Sequence, residues 1–188
     1  MRLGIGDGGN VHDLGKLPPG DDGVAATVAA IQALVDEFMK PGARPWWLEL
    51  RVDARSTDNP KKWGRLLYYW LEKHVVFKKD PTGVEFVQKP VDLLRTINAL
   101  GYARGDCDDM ATLAAALTTW AGYRPALATV GRNKPGRFEH IFACVFMDPA
   151  GPLVPENLYP LDAQERTGAG IWPKVPRVKL WALTPASL

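Results

Sequence analysis

The sequence predicts an α+β protein, and three observations carry that prediction. Apolar residues recur at helical spacing through the first two thirds of the chain, as in Val24, Val28, Ile31, Leu34, Val35 and Phe38. After Pro125 the period changes to unbroken apolar runs, Ala126–Val130 and Ile141–Met147, the mark of buried strands. Helices thus come first and strands last, without the alternation of a βαβ repeat.

The elements follow in order. Gly4, Gly6, Gly8, Gly9, Gly15, Pro18, Pro19 and Gly20 predict a flexible arm over residues 1–23, because glycine is costly to order. A helix then starts near Asp22, a capping residue type, and stops at Pro41-Gly42. Residues 43–58 hold Trp46 and Trp47 in a Pro/Arg stretch that predicts no element. Asn59-Pro60 reads as a cap and a first-turn proline, and Trp63, Leu66, Leu67, Trp70, Leu71 and His74 fall on one helical face. Val75–Phe77 is a short strand before a charged turn, and Pro90 opens a helix with Val91, Leu94 and Ile97 inward.

From Asp106 to Ala121 the spacing of Met110, Leu113, Ala114, Leu117, Trp120 and Ala121 predicts the best-defined helix, stopped by Gly122 and Pro125. Leu158–Ala163 is a third late strand. The expected organisation is one domain over 24–165 with an extended tail over 166–188.

Composition narrows the function. The 188 residues carry 23 Lys and Arg against 21 Asp and Glu, a formal net charge of +2, which excludes a polyelectrolyte grip on nucleic acid. No apolar run is long enough to cross a bilayer, and Met1–Asn10 lacks a signal peptide's apolar core. Two cysteines in such a chain are expected as free thiols in a reducing cytoplasm. The 18 glycines and 16 prolines call for abundant loops.

The chemistry concentrates in Gly105-Asp106-Cys107-Asp108-Asp109. Cys107 opens the central helix, where unpaired N–H groups and the helix dipole favour thiolate. The three aspartates oppose that effect, so a reactive Cys107 needs a basic partner. His140, on the edge of the strand that follows, is such a base, and Asp162 on the next strand is an acceptor able to orient the imidazole. Helix Cys, strand His, next-strand Asp is the arrangement a papain-like site requires. His12 and His74 read as surface or structural residues, and strand alternation places Cys144 as a buried apolar one.

These motifs resemble a family. Gly-Asp-Cys-Asp-Asp before an apolar helix, then Gly-Tyr-Arg-Pro, Phe-Glu-His-Ile-Phe and Leu-Asp, is similar to the transglutaminase-like superfamily of papain-like cysteine enzymes. His74–Pro81, Gly83-Val84-Glu85 and Val87–Pro90 resemble the version found in tailed bacteriophages and prophages. The resemblance, over roughly residues 25–165, implies a central helix with the cysteine at its N-terminus, packed on a small antiparallel sheet. It implies Cys107 as nucleophile, His140 as general base and acid, and Asp162 as orienting group, with no cofactor and no metal. Where eukaryotic relatives offer a Trp indole to the oxyanion, this chain has Phe77; Gln88 and the Cys107 backbone N–H are the remaining donors considered.

The expected reaction is acyl transfer from an amide or peptide bond of a protein or peptide substrate, to water first and to an amine second. The competing reading is a virion assembly module, with phage structural proteins docking on the arm and tail. In that reading Trp46, Trp47, Trp172 and Trp181 are interface anchors, while Trp63, Trp70 and Trp120 fill the core. Lys174, Arg177 and Lys179 point weakly to an acidic partner. Neither reading needs nucleic acid or a membrane, and both place the protein in a bacterial cytoplasm or a virion. A metal site built on Asp106, Asp108, Asp109 and His140 matches no four-ligand zinc spacing.

Overall fold

The computed structural model describes residues 11–18, 21–43, 59–81, 85–131 and 138–184. Trp46, Trp47 and the first ten residues lie outside them. Among the described residues the fold is mixed α+β, with four helices and eight strands.

The first helix, α1, spans Asp21–Met39 and buries Ala30, Ile31, Leu34, Val35 and Phe38. Asp22 lies in its first turn beside Asp21 rather than at the cap, where both charges still favour the helix dipole. The second, α2 (Pro60–His74), is capped by Asn59, whose Oδ1 accepts from the N–H groups of Lys61 and Lys62 at 2.9 and 3.1 Å. Its buried stripe is Trp63, Gly64, Leu67, Tyr68 and Leu71. Leu66, expected inward, is 55% exposed, because Tyr68 rather than Leu66 flanks Leu67 on the packed face. Next, α3 spans Pro90–Leu100 and ends at Gly101, whose φ of 85° is left-handed and suits glycine.

The central helix, α4 (Cys107–Trp120), is buried on every side from Asp108 to Trp120. Small residues make that possible: Ala111, Ala114, Ala115 and Ala116 let neighbours approach. Thr112 and Thr119 return their hydroxyl donors to the carbonyls of Asp108 and Ala115.

Three sheets surround α4. In the first, β1 (Val11–Gly15) pairs antiparallel with β3 (Glu85–Gln88). Part of the expected flexible arm is therefore a docked strand, its backbone groups satisfied by β3. In the second, β2 (Val75–Phe77) and β4 (Ala103–Gly105) run parallel, which sets Phe77 opposite Gly105. The third is antiparallel, in the order β7 (Leu158–Pro160), β6 (His140–Phe146), β5 (Pro125–Gly131), β8 (Arg177–Ala182).

Both central strands of this third sheet are buried along their whole length, which explains their unbroken apolar sequences. Leu127, Ile141, Ala143 and Val145 belong to the main core with α4. Ala126, Ala128, Phe142, Cys144 and Phe146 form a second core with Leu153, Trp172 and Val175.

This second core corrects the domain boundary expected at residue 165. The segment after it covers one face of the sheet and then supplies β8, paired with β5 from Gly131↔Arg177 to Ala126↔Ala182. It is part of the domain, not a tail. Trp172 meets the Phe142 ring edge-on at 5.8 Å, and the Trp181 indole N–H donates to Thr129 Oγ1 at 3.0 Å. Both pack within the domain while staying partly exposed. Their role was hidden because a strand completed by distant pairing leaves little local periodicity.

One glycine holds the returning segment in place. Gly170 has φ +76°, and a Cβ there would enter the Tyr159 ring. Gly170→Ala is expected to cost about 2–4 kcal/mol through backbone strain plus overpacking. A lower urea midpoint at unchanged slope is the check.

Candidate active site

The site is built where β4 hands the chain to α4. Asp106 is the extended N-cap residue, and its backbone N–H donates to Asp109 Oδ2 at 3.2 Å. Asp109 in turn accepts from the Gln88 backbone N–H and from Gln88 Nε2, both at 2.6 Å. A side chain at Gly105 would put its Cβ 2.7 Å from the Asp109 carboxylate, so only glycine permits this tight turn. The result fixes Cys107 as the first helical residue, half-buried and lining a cleft of about 570 Å³.

Gln88 is thereby accounted for differently from the expectation. Its side-chain N–H groups donate to Asp109 and, at 2.9 Å, to the Arg104 carbonyl. Gln88 does not line the cleft, so it offers no donor to an oxyanion there. The burial of Asp109 demanded those donors, a need visible only once the helix N-terminus was packed against β3.

His140 opens β6 opposite Val130, and Asp162 lies just past β7, whose neighbour Leu161 donates its N–H to Ala143. Adjacent strands thus bring together residues 22 apart in sequence: His140 Nε2 and Asp162 Oδ1 are 2.8 Å apart, both side chains buried. Asp162 Oδ1 also accepts from the Glu165 N–H at 3.3 Å. With Nε2 occupied, Nδ1 is the ring nitrogen left for chemistry. Cys107 and His140 line the same cleft, together with Phe77, Glu85, Glu139 and Gln164.

Electrostatics at the thiol run against the anion. Burial pushes the Cys107 pKa well above its ordinary value, and the charges of Asp108 and Asp106 raise it further. The Ile141 backbone N–H works the other way, while Glu85 adds to the rise. The aspartates pay for this mutual proximity as well. Burial, then the Asp106 interaction, holds Asp108 far above the usual carboxylate range. Burial pushes Asp109 up to about 7 against the relief its Gln88 hydrogen bonds provide.

That shift has a measurable consequence. A carboxyl whose pKa is higher folded than unfolded keeps its proton longer in the folded state. Its stabilising effect is complete below the unfolded value near 3.8 and is lost as pH rises through about 7. The protein is therefore expected to be more stable near pH 5 than near pH 8, and Asp109→Asn to remove up to about 2.7 kcal/mol of that difference. Urea midpoints at the two pH values read it. The slope is the readout, because an amide cannot accept from all of the N–H donors that Asp109 serves.

The oxygens of Asp106, Asp108 and Asp109 lie within 4.8 Å of one another and are the only such group among the described residues. Asp109 is committed to N–H donors, and Asp108 Oδ1 accepts the Asp109 N–H at 2.7 Å. His74, read as structural, has its Nδ1 2.7 Å from the Gly101 carbonyl. The His12 side chain lies outside the described residues. Cys107 and Cys144 are both free, and Cys144 is fully buried, its thiol held protonated by burial.

Glu85, Gln164 and Lys79 line the cleft without having been singled out from sequence. Each is a lone polar residue in or beside a loop, a pattern with no periodic signal. Gln164 alone carried a hint, its place two residues beyond Asp162.

No protein-family model and no curated protein sequence matches the chain. Among solved structures, a crystal structure from Parabacteroides distasonis, provisionally described as a protease, is similar with a TM-score of 0.42 and 16% identity. The overlap covers 72% of this chain and 29% of that one, so the chain spans under a third of that protein's length. No helix among the described residues is long and apolar enough to cross a membrane.

Proposed function

We propose that the chain is a cysteine-dependent acyl-transfer enzyme of the papain-like, transglutaminase-like type, cleaving amide or peptide bonds through Cys107, His140 and Asp162. The observation that carries this reading is the buried 2.8 Å contact of His140 with Asp162 on the cleft that Cys107 lines. A buried imidazole–carboxylate pair on a cleft shared with a thiol at a helix N-terminus suits general base catalysis.

The resting sulfur is a neutral thiol, given its raised pKa. As sulfur attacks the substrate carbonyl, its proton passes to His140 Nδ1, and Asp162 stabilises the imidazolium. The C–N bond then breaks, the amine leaves with the proton from His140, and a thioester remains on Cys107. Water, deprotonated by His140, attacks the thioester, releasing the carboxylic acid and restoring the thiol. The Cys107 backbone N–H, first in the helix and without an intrahelical acceptor, supports the oxyanion.

Iodoacetamide labelling tests the core of this scheme. Labelling of Cys107 is expected to rise with pH and to slow in His140→Ala, while Cys144 in the folded protein stays unlabelled. Identical Cys107 kinetics in wild type and His140→Ala would remove the histidine from the mechanism.

A further inference from the structure

A second groove, of about 770 Å³, lies between the residues after β2, the end of α3 and β4. Its floor is apolar: Leu100 is 60% exposed and Tyr102 39%, with Phe86 beside them. Exposed Lys78, Lys79 and Arg104 border it. None of the three makes an ion pair among the described residues, whereas Lys89 pairs with Glu37 and Lys179 with Asp21. The groove's acid, Asp80, is turned to the Phe86 N–H, which it accepts at 2.5 Å. Lys79 borders both this groove and the cleft of Cys107, so the two are adjacent.

We propose that this groove is an exosite for an acidic peptide segment bearing apolar side chains, the part of a protein substrate adjacent to the bond presented to Cys107. Lys78, whose charge also acts on Asp80, together with Lys79 and Arg104 around exposed aliphatic and aromatic side chains, complements carboxylates interspersed with Leu or Tyr. A nucleic acid is the poorer match: the chain's net charge is only +2, the cations form no extended stripe, and Leu100 offers nothing to a phosphate. Binding in the groove stands on its own residues; its role as an exosite rests on the acyl-transfer reading.

The test is fluorescence anisotropy with a fluorescein-labelled peptide of alternating Glu and Leu or Tyr, on wild type and on Cys107→Ala, so that the result is independent of catalysis. The acidic peptide is expected to bind both proteins equally, and its Lys-for-Glu counterpart not to bind. Lys78→Glu/Arg104→Glu is expected to weaken binding about tenfold or more, and about 0.5 M salt to do the same. Leu100→Ser, which leaves the charges in place, is expected to weaken it about threefold through lost apolar contact. Equal binding by wild type and the charge-reversed protein overturns the proposal. So does tighter binding of a thymidine oligonucleotide of the same length, or no acidic-peptide binding at about 1 mM, the weak end of specific recognition. If binding behaves as expected and Cys107→Ala retains full activity, the groove survives and the acyl-transfer reading falls.

Discussion

Cys107→Ala is expected to abolish turnover, a loss of about 10⁴-fold or more in kcat/KM against any amide substrate that the wild type cleaves. Without sulfur there is no acyl-enzyme, and His140 and Asp162 act only as a base with nothing to activate. The fold should be untouched, because Cys107 is half-buried at a helix start whose capping depends on Asp106 and Asp109. Removing the thiol also removes no hydrogen bond that the helix needs. Turnover measured alongside the urea midpoint separates the two effects: activity gone at unchanged stability is the expected pair, and retained turnover would reject the cysteine mechanism.

The second large effect is at Asp162. Asp162→Ala deletes the acceptor for His140 Nε2 and leaves a buried imidazole N–H without a partner. The expected cost is about 10³-fold in kcat, since the imidazolium formed during attack loses its counter-charge and its fixed tautomer. Stability is expected to fall as well, by about 1–3 kcal/mol for the unpaired buried group. Asp162→Asn refines the assignment, because the amide keeps an acceptor oxygen but not the charge. Its loss in kcat is expected to be smaller than that of Asp162→Ala, with a shifted acid limb of the pH–rate profile. Equal losses in both variants at a wild-type pH profile would mean that Asp162 is only a packing residue.

Much of the fold was legible because it is locally encoded. Asn59-Pro60 announced α2 through capping chemistry, and the cap formed there is the one the sequence named. Pro125–Gly131 and His140–Phe146 were legible as buried strands because both faces are covered, which turns alternation into continuous apolar runs. What escaped was non-local. Val11–Gly15 has no apolar alternation, yet its ladder with β3 orders it. Arg177–Ala182 mixes charge and tryptophan, because β8 sits at the sheet edge with only intermediate burial, and it was mistaken for tail.

For the site, residue type and order single out Cys107, His140 and Asp162, and the structure sets His140 against Asp162 and puts Cys107 and His140 on one cleft. Gln88 was misassigned because an amide's role depends on which buried group needs its hydrogens, and Asp109 claimed them. The thiol's charge environment was legible in direction, since three aspartates in four residues oppose a thiolate wherever the helix goes. The burial that makes their effect large was not.

Taken by itself, the sequence determined the four helices and the two buried strands Pro125–Gly131 and His140–Phe146, which side chains have the chemistry of a thiol, a base and an acceptor, and that the charges around Cys107 conflict. Only the tertiary structure decided that β6 and β7 lie side by side with His140 against Asp162, that the C-terminal segment closes the sheet, and that Lys78, Lys79 and Arg104 border a common groove. The physical reason is range. Capping, periodicity and turn chemistry act within a few residues of the chain, whereas strand pairing, desolvation and groove shape depend on residues that meet only after the core has formed.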